Sequence, residues 1–215
     1  MPEPRYIAIE GPIGVGKTSL AKRLAERYDS ELLLEEADAN PFLSGFYEDA
    51  RKAALQTQLF FLFQRVNQLE KLRQADLFGE TRVADFLMDK DRLFAEITLD
   101  QNELKLYDQV RAALEFQPPA PDLVVYLQAP VDTLIFRIGR RGINYEQQIR
   151  RRYLDRLTDA YARFFHDYDA SPLLIVNAAE IDPVNNDAHF DMLASEIDSA
   201  RSGRQFFNPL ASGLG

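Results

Sequence analysis

Gly11-Pro12-Ile13-Gly14-Val15-Gly16-Lys17-Thr18 fits the phosphate-binding loop pattern G-x-x-x-x-G-K-[ST], and it stands in the setting that pattern requires. Tyr6-Ile7-Ala8-Ile9 before it reads as a buried strand; Ser19 to Tyr28 after it reads as a helix with Leu20 and Leu24 on one face. The glycines let backbone N–H groups turn inward around phosphate oxygens, and the helix N-terminus adds its dipole. Lys17 is placed to reach the β- and γ-phosphates, and the Thr18 hydroxyl to hold Mg2+. Gly11 to Thr18 are therefore expected to bind a nucleoside triphosphate.

Outward from the loop, four more short apolar runs read as strands: Leu32–Leu34, Val83–Ala84, Leu123–Leu127 and Leu173–Val176. Helical stretches separate them, and that alternation implies a parallel sheet covered on both faces. The expected fold is a three-layer α/β sandwich of the P-loop type, with a five-stranded parallel sheet and a short Arg-rich lid. No repeat or linker divides the 215 residues, which read as one domain over 1–201 and a tail over 202–215. In the tail, Phe206-Phe207-Asn208-Pro209-Leu210 either docks on the body or frays. The longest helical run, from about Arg51 to Gln74, carries Leu55, Leu59, Leu62, Val66 and Leu69 on one stripe, widened by Phe60, Phe61 and Phe63. So wide a face is core alone, or core plus a homodimer contact.

Hydrophobic content of 46% and charged content of 27% are ordinary for a globular chain, and the net charge of −9 argues against a nucleic-acid partner or an anionic membrane. The absence of cysteine excludes disulfides, thiolate catalysis and Cys-ligated zinc, and fits a reducing compartment. Met1-Pro2-Glu3-Pro4-Arg5 has no signal-peptide pattern, and no apolar stretch is long enough to span a bilayer. A cytoplasmic enzyme is the expectation.

In open parallel sheets, ligands bind at the carboxyl ends of the strands. Glu35-Glu36 follow the second expected strand and Asp85 the third; a helix with Arg137, Arg140 and Arg141 follows the fourth. Phosphoryl transfer to a hydroxyl calls for metal, cations and often a base. His166 and His189 lie away from the expected strand ends, so Glu35 is the candidate base. Asp85 is placed either to hold Mg2+ or to cap a helix. Arg137 and Arg141 share a helix face, and Gly139 and Gly142 beside them suit a movable lid. Arg150-Arg151-Arg152 reads as a solvated face.

Taken together, these features resemble the deoxynucleoside kinase family, and within it the bacterial deoxyadenosine/deoxyguanosine kinases. The resemblance runs to about Ser199. It is carried by Glu35 with Asn40-Pro41-Phe42-Leu43 and Phe46-Tyr47-Glu48-Asp49, by Gln56-Thr57-Gln58-Leu59-Phe60-Phe61-Leu62, by Asp89-Lys90-Asp91-Arg92-Leu93-Phe94-Ala95, and by the lid with Tyr145-Glu146. It implies ATP-dependent phosphorylation of a deoxynucleoside 5′-hydroxyl with Mg2+. Glu35 would take the hydroxyl proton, Tyr47 and Glu146 would bond the sugar 3′-hydroxyl, and Gln58 would contact the base with Arg65 and Asp91 beside it. Arg137 and Arg141 would serve as lid arginines, and Glu180 to Asp182 would lie around the base of the donor. It also implies deoxyadenosine first, deoxyguanosine and deoxycytidine next, and thymidine last. Where the family carries acid-Arg-Ser, this chain has Asp85-Phe86-Leu87, and Lys90 and Arg92 are the nearby cations. Two rival readings are a nucleoside monophosphate kinase such as thymidylate kinase, and a non-catalytic nucleotide-binding subunit.

Overall fold

The computed structural model describes residues 6–75 and 81–209. The reading of residues 1–5 and the fate of Leu210 and the residues after it lie outside that set. Strands β1 (Tyr6–Glu10), β2 (Glu31–Leu33), β3 (Arg82–Ala84), β4 (Leu123–Gln128), β5 (Leu173–Asn177) and β6 (Arg204–Phe207) form one sheet in the order β2-β3-β1-β4-β5-β6. Every pairing is parallel.

The sheet has six strands where five were expected. The extra one lies in the tail, with Leu173 opposite Arg204 and Val176 opposite Phe207. Phe207 alone of the four residues is buried, while Phe206 is 71% exposed. An edge strand has one neighbour and needs no continuous apolar run, so its sequence carries little strand signal. The central strands differ: all five residues of β1 are buried, as are the first five of β4.

The helices are α1 (Lys17–Tyr28), α2 (Leu43–Glu48), α3 (Ala50–Ala75), α4 (Lys90–Thr98), α5 (Gln101–Ala113), α6 (Val131–Arg141), α7 (Arg151–Asp167) and α8 (Asp187–Ser199). α1 packs Leu20, Ala21, Leu24 and Ala25 into the core, on the face expected from sequence. Asp100 and Glu103 form a capping box that starts α5. Gly142, at φ 71, ends α6 in the left-handed conformation that glycine tolerates. Among the described residues, no helix is long and apolar enough to cross a membrane.

From β1 the chain turns toward β2; from β4 it continues outward to β5. A crevice at the carboxyl ends of β1 and β4 follows from that reversal. The phosphate loop and α6 both enter there.

Candidate active site

The loop between β1 and α1 needs its glycines. Gly11, at φ +149, would bring an added Cβ within 2.3 Å of the Leu127 carbonyl oxygen on β4. At Gly14 the Cβ would come within 2.8 Å of the Ile138 side chain on α6. The loop is thus clamped against the next strand and its helix. Lys17 Nζ donates to the carbonyl oxygens of Gly11 at 2.7 Å and Pro12 at 3.3 Å, so it closes the loop on itself. Burial and the nearby Lys90 ammonium lower the Lys17 pKa.

Thr18, in the first turn of α1, donates its hydroxyl to Asp85 Oδ2, just past β3. The Glu35 N–H donates to Asp85 Oδ1 at 2.7 Å, tying the carboxyl ends of β2 and β3 together. Burial pushes the Asp85 carboxyl up; the Thr18 hydroxyl and the Glu35 amide oppose that. A hydroxyl and a carboxylate beside a phosphate loop are hard oxygen donors of the kind Mg2+ takes. Among the described residues no cluster of three or more His, Cys, Asp or Glu side chains suits a metal.

Glu35 lies between cations. Its Oε1 accepts from Arg65 Nε at 2.8 Å and from Arg65 Nη2, and its Oε2 faces Lys90 Nζ at 3.3 Å. Burial alone would raise its pKa. Arg65 and Lys90 outweigh burial and bring it down to about 2. Arg65, on α3, also bonds Asp91 Oδ1 through Nη1, and the Tyr107 hydroxyl takes Asp91 Oδ2. Both Asp91 oxygens are therefore engaged inside the protein, and Asp91 is fully buried behind Arg65, off the cavity wall. The expected base contact through Asp91 gives way to a different part: its carboxylate aims the Arg65 guanidinium at Glu35. The sequence places Arg65 and Asp91 near each other and says nothing of Tyr107, which joins from α5.

A cavity of about 120 Å³ opens beside these groups. Its wall includes Lys17, Thr18, Glu35, Tyr47, Gln58, Arg65, Asp85, Lys90, Arg141 and Glu146, so most of the expected site residues meet at one place. Gln58 is 2% exposed and its Oε1 has no partner, an acceptor ready for a ligand donor. Burial raises the Tyr47 pKa well above its ordinary value, so its hydroxyl stays a neutral donor. The Tyr47 and Tyr145 rings stack at 6.0 Å, and Tyr145 donates to Asp38 Oδ1 at 2.5 Å. Arg141 Nε bonds Glu146 Oε2 at 3.0 Å, and Nη2 completes the fork.

The other expected residues lie apart from the cavity. Arg137 donates to the carbonyl oxygens of Val15 at 3.1 Å and Ala178 at 2.8 Å, spanning from the phosphate loop to the end of β5. Glu180 and Asp182 lie on the loop between β5 and α8, away from the cavity wall. There Asp182 Oδ1 accepts from the N–H groups of Val184 at 3.2 Å and Asn185 at 3.1 Å. His189 serves that same loop, accepting the Asp182 N–H at 3.1 Å. Phe86 is core. Arg92 turns away to Asp108 and Glu96.

One functional group escaped the sequence reading. Glu10, the last residue of β1, is fully buried. It accepts the N–H of Gly11 at 2.8 Å and the Tyr161 hydroxyl at 2.8 Å through Oε1, and the N–H of Leu87 at 2.9 Å through Oε2. The signal was a lone charge closing an apolar strand, directly before the phosphate loop.

A phosphate loop and an acid–hydroxyl pair, beside a small cavity with a half-buried carboxylate, define a P-loop phosphotransferase with a small-molecule acceptor. A profile of the deoxynucleoside kinase family matches residues 7–200, and the chain belongs to that family. It is a deoxynucleoside kinase, and the deoxynucleoside reading stands over the monophosphate-kinase and non-catalytic alternatives. The deoxyguanosine kinase of Bacillus subtilis is 34% identical over 89% of this chain and 95% of its own length. The deoxyadenosine/deoxycytidine kinase of the same organism is 28% identical over 93% and 94%. The solved deoxyadenosine kinase from M. mycoides, with dCMP and dCDP bound, matches with a TM-score of 0.79 at 25% identity, over 90% of this chain and 99% of that one.

Proposed function

We propose that this kinase moves the γ-phosphoryl group of ATP, as its Mg2+ complex, to the 5′-hydroxyl of a 2′-deoxynucleoside with an amino-bearing base, deoxyadenosine first, in cytoplasmic nucleotide salvage. The observation that carries this reading is Glu35: a half-buried carboxylate held ionised by Arg65 and Lys90, in the same cavity wall as Lys17 and the unpartnered Gln58 Oε1.

The 5′-oxygen attacks the γ-phosphorus. The bond from that phosphorus to its bridging oxygen breaks, its electron pair leaves on ADP, and the hydroxyl proton passes to Glu35. A carboxylate with a pKa of about 2 is a weak base. It suits a loose transition state, in which the hydroxyl needs orientation more than activation. Mg2+ bound to the triphosphate would neutralise charge on the β- and γ-oxygens, with Thr18 and Asp85 as its protein side. Lys17 exchanges the Gly11 and Pro12 carbonyls for phosphate oxygens, while Arg137 stays beside the loop. Arg141 approaches the phosphoryl group as it loosens from Glu146. Tyr47 and Glu146 take the sugar 3′-hydroxyl. Glu180 and Asp182 border the donor base.

The Gln58 carboxamide offers an acceptor to an exocyclic amino group and a donor to the neighbouring ring atom. The relatives above are named for deoxyguanosine, deoxyadenosine and deoxycytidine, whose bases all carry an exocyclic amino group, on C2 in guanine; thymine lacks one. The Gln58 pairing fits the 6-amino group and N1 of adenine and the 4-amino group and N3 of cytosine, whereas guanine sets a carbonyl and a protonated N1 there, so deoxyadenosine ranks first. Phe63 and Leu106, left exposed on α3 and α5, support a homodimer through those helices. Measuring kcat/KM for the four deoxynucleosides with ATP and Mg2+ tests the reading. Thymidine as best substrate would overturn the base assignment, and turnover of none would overturn the acceptor class.

A further inference from the structure

Lys90 opens α4 with a side chain only 2% exposed, yet it lines the cavity together with Lys17, Arg65 and Glu35. Its Nζ stands 3.3 Å from Glu35 Oε2 and 3.5 Å from Glu10 Oε2. Both distances are long for charge-assisted hydrogen bonds, which close to about 2.8 Å. An ammonium has three donors, so at least one is left for a ligand.

Burying a third cation beside Lys17 and Arg65 is costly, because like charges repel and each loses its water. A tether between Glu10 and Glu35 does not call for it. Glu10 already accepts two backbone N–H groups and the Tyr161 hydroxyl, and Arg65 already holds Glu35. The expense makes sense where further negative charge arrives. A hydroxyl bonded to Glu35 Oε2 at about 2.7 Å would lie at most about 6 Å from Lys90 Nζ, so a phosphoryl group joining that oxygen comes within reach of the ammonium.

Resting on the reading of this cavity as the deoxynucleoside kinase centre, we propose that Lys90 is a catalytic residue whose ammonium contacts the phosphoryl group in flight. Glu10 holds it from beneath. Lys90 gives up no proton and makes no covalent bond; it stabilises charge on the transferring oxygens, as a preorganised donor does. Lys17 serves the bound triphosphate, and Lys90 serves the same group near the acceptor.

The test compares Lys90→Met, which removes donors and charge, with Lys90→Gln, which keeps donors for Glu10 and Glu35 but no charge. Calorimetry gives Kd for deoxynucleoside and for ATP·Mg2+, and single-turnover kinetics gives the chemical step. Both variants are expected to lose about 10²- to 10³-fold in that step, with both Kd values within about threefold of wild type. Lys90→Arg is expected to recover at least tenfold over Lys90→Met. Lys90→Gln turning over within threefold of wild type would make the residue a tether and overturn the proposal. So would variants that no longer bind ATP, since that loss marks a structural role. A wild type that phosphorylates no deoxynucleoside would instead overturn the reading of the cavity itself.

Discussion

Replacing Glu35 with glutamine should separate two consequences of one charge. Glu35 has a pKa of about 2 in the folded protein, against about 4.3 for an ordinary glutamate. The gap of roughly two units corresponds to about 3 kcal/mol of folding stability at neutral pH. The folded value lies below the unfolded one, so this contribution is complete above about pH 5 and is lost as pH falls toward 2. Glu35→Gln removes it and leaves Arg65 and Lys90 facing a neutral amide. The variant should therefore unfold about 3 kcal/mol more easily in urea at pH 7, and the difference should shrink steadily as the pH is lowered to 3. Deoxynucleoside binding should survive, because Gln58, Tyr47 and Glu146 are untouched. Turnover should fall about 10²- to 10⁴-fold, the typical worth of a positioned base. Urea titrations at several pH values and rapid-quench kinetics read the two effects separately. If Glu35→Gln keeps more than about a third of wild-type kcat with chemistry rate-limiting, Glu35 is not the base. If its stability deficit is the same at pH 7 and pH 3, the ion pairs with Arg65 and Lys90 do not hold the carboxyl down.

With Glu35 ionised throughout, kcat/KM should show no acid limb between pH 5 and 7; a limb near pH 6 would refute its assignment as a low-pKa base. Lys17→Ala and Asp85→Asn should both abolish measurable activity, but raised Mg2+ should partly rescue only Asp85→Asn; equal rescue of both would contradict the division of labour between them. A 2′,3′-dideoxynucleoside should be a far poorer substrate than its 2′-deoxy counterpart, since it leaves Tyr47 and Glu146 unpaired; equal kcat/KM would remove them from sugar recognition. Gly11→Ala should lose ATP binding, because its Cβ would fall 2.3 Å from the Leu127 carbonyl oxygen; a variant with wild-type ATP affinity would show that β4 does not fix the loop.

Features held by short stretches of chain were legible in the sequence. The phosphate loop is eight consecutive residues between a strand and a helix, and Glu35 and Asp85 announced themselves by following apolar runs. What the sequence hid depends on side-chain direction and on partners far along the chain. β6 reads poorly because an edge strand buries only Phe207. The resemblance set Arg65 and Asp91 side by side near the base, but that Tyr107 on α5 takes the second Asp91 oxygen is a contact no local pattern encodes. Lys90 and Arg92 stand two positions apart at the start of α4, about 200° around the helix from each other. One therefore enters the cavity and the other meets Asp108 and Glu96 at the surface. The sequence offered both as cations, and only the helix placement separates them.

The charge pattern gives the site its logic. Around the cavity Lys17, Arg65, Lys90 and Arg141 stand with Glu35, Asp85 and Glu146, while Glu10 and Asp91 are buried behind them on Lys90 and Arg65. The carboxylates hold these cations in place before any substrate enters. A triphosphate then adds negative charge at the mouth of the cavity. That charge is met from two places. One is a divalent cation, for which Thr18 and Asp85 already lie together. The other is the outer arginines: Arg137 on the Val15 and Ala178 carbonyls, and Arg141, 45% exposed, forked onto the buried Glu146 carboxylate. A phosphate offers Arg141 the same two-oxygen geometry that Glu146 now supplies. The inner cations are fixed by buried or half-buried carboxylates, and the outer ones sit at the rim. The wall can therefore keep Glu35 ionised for the acceptor while the lid responds to the donor.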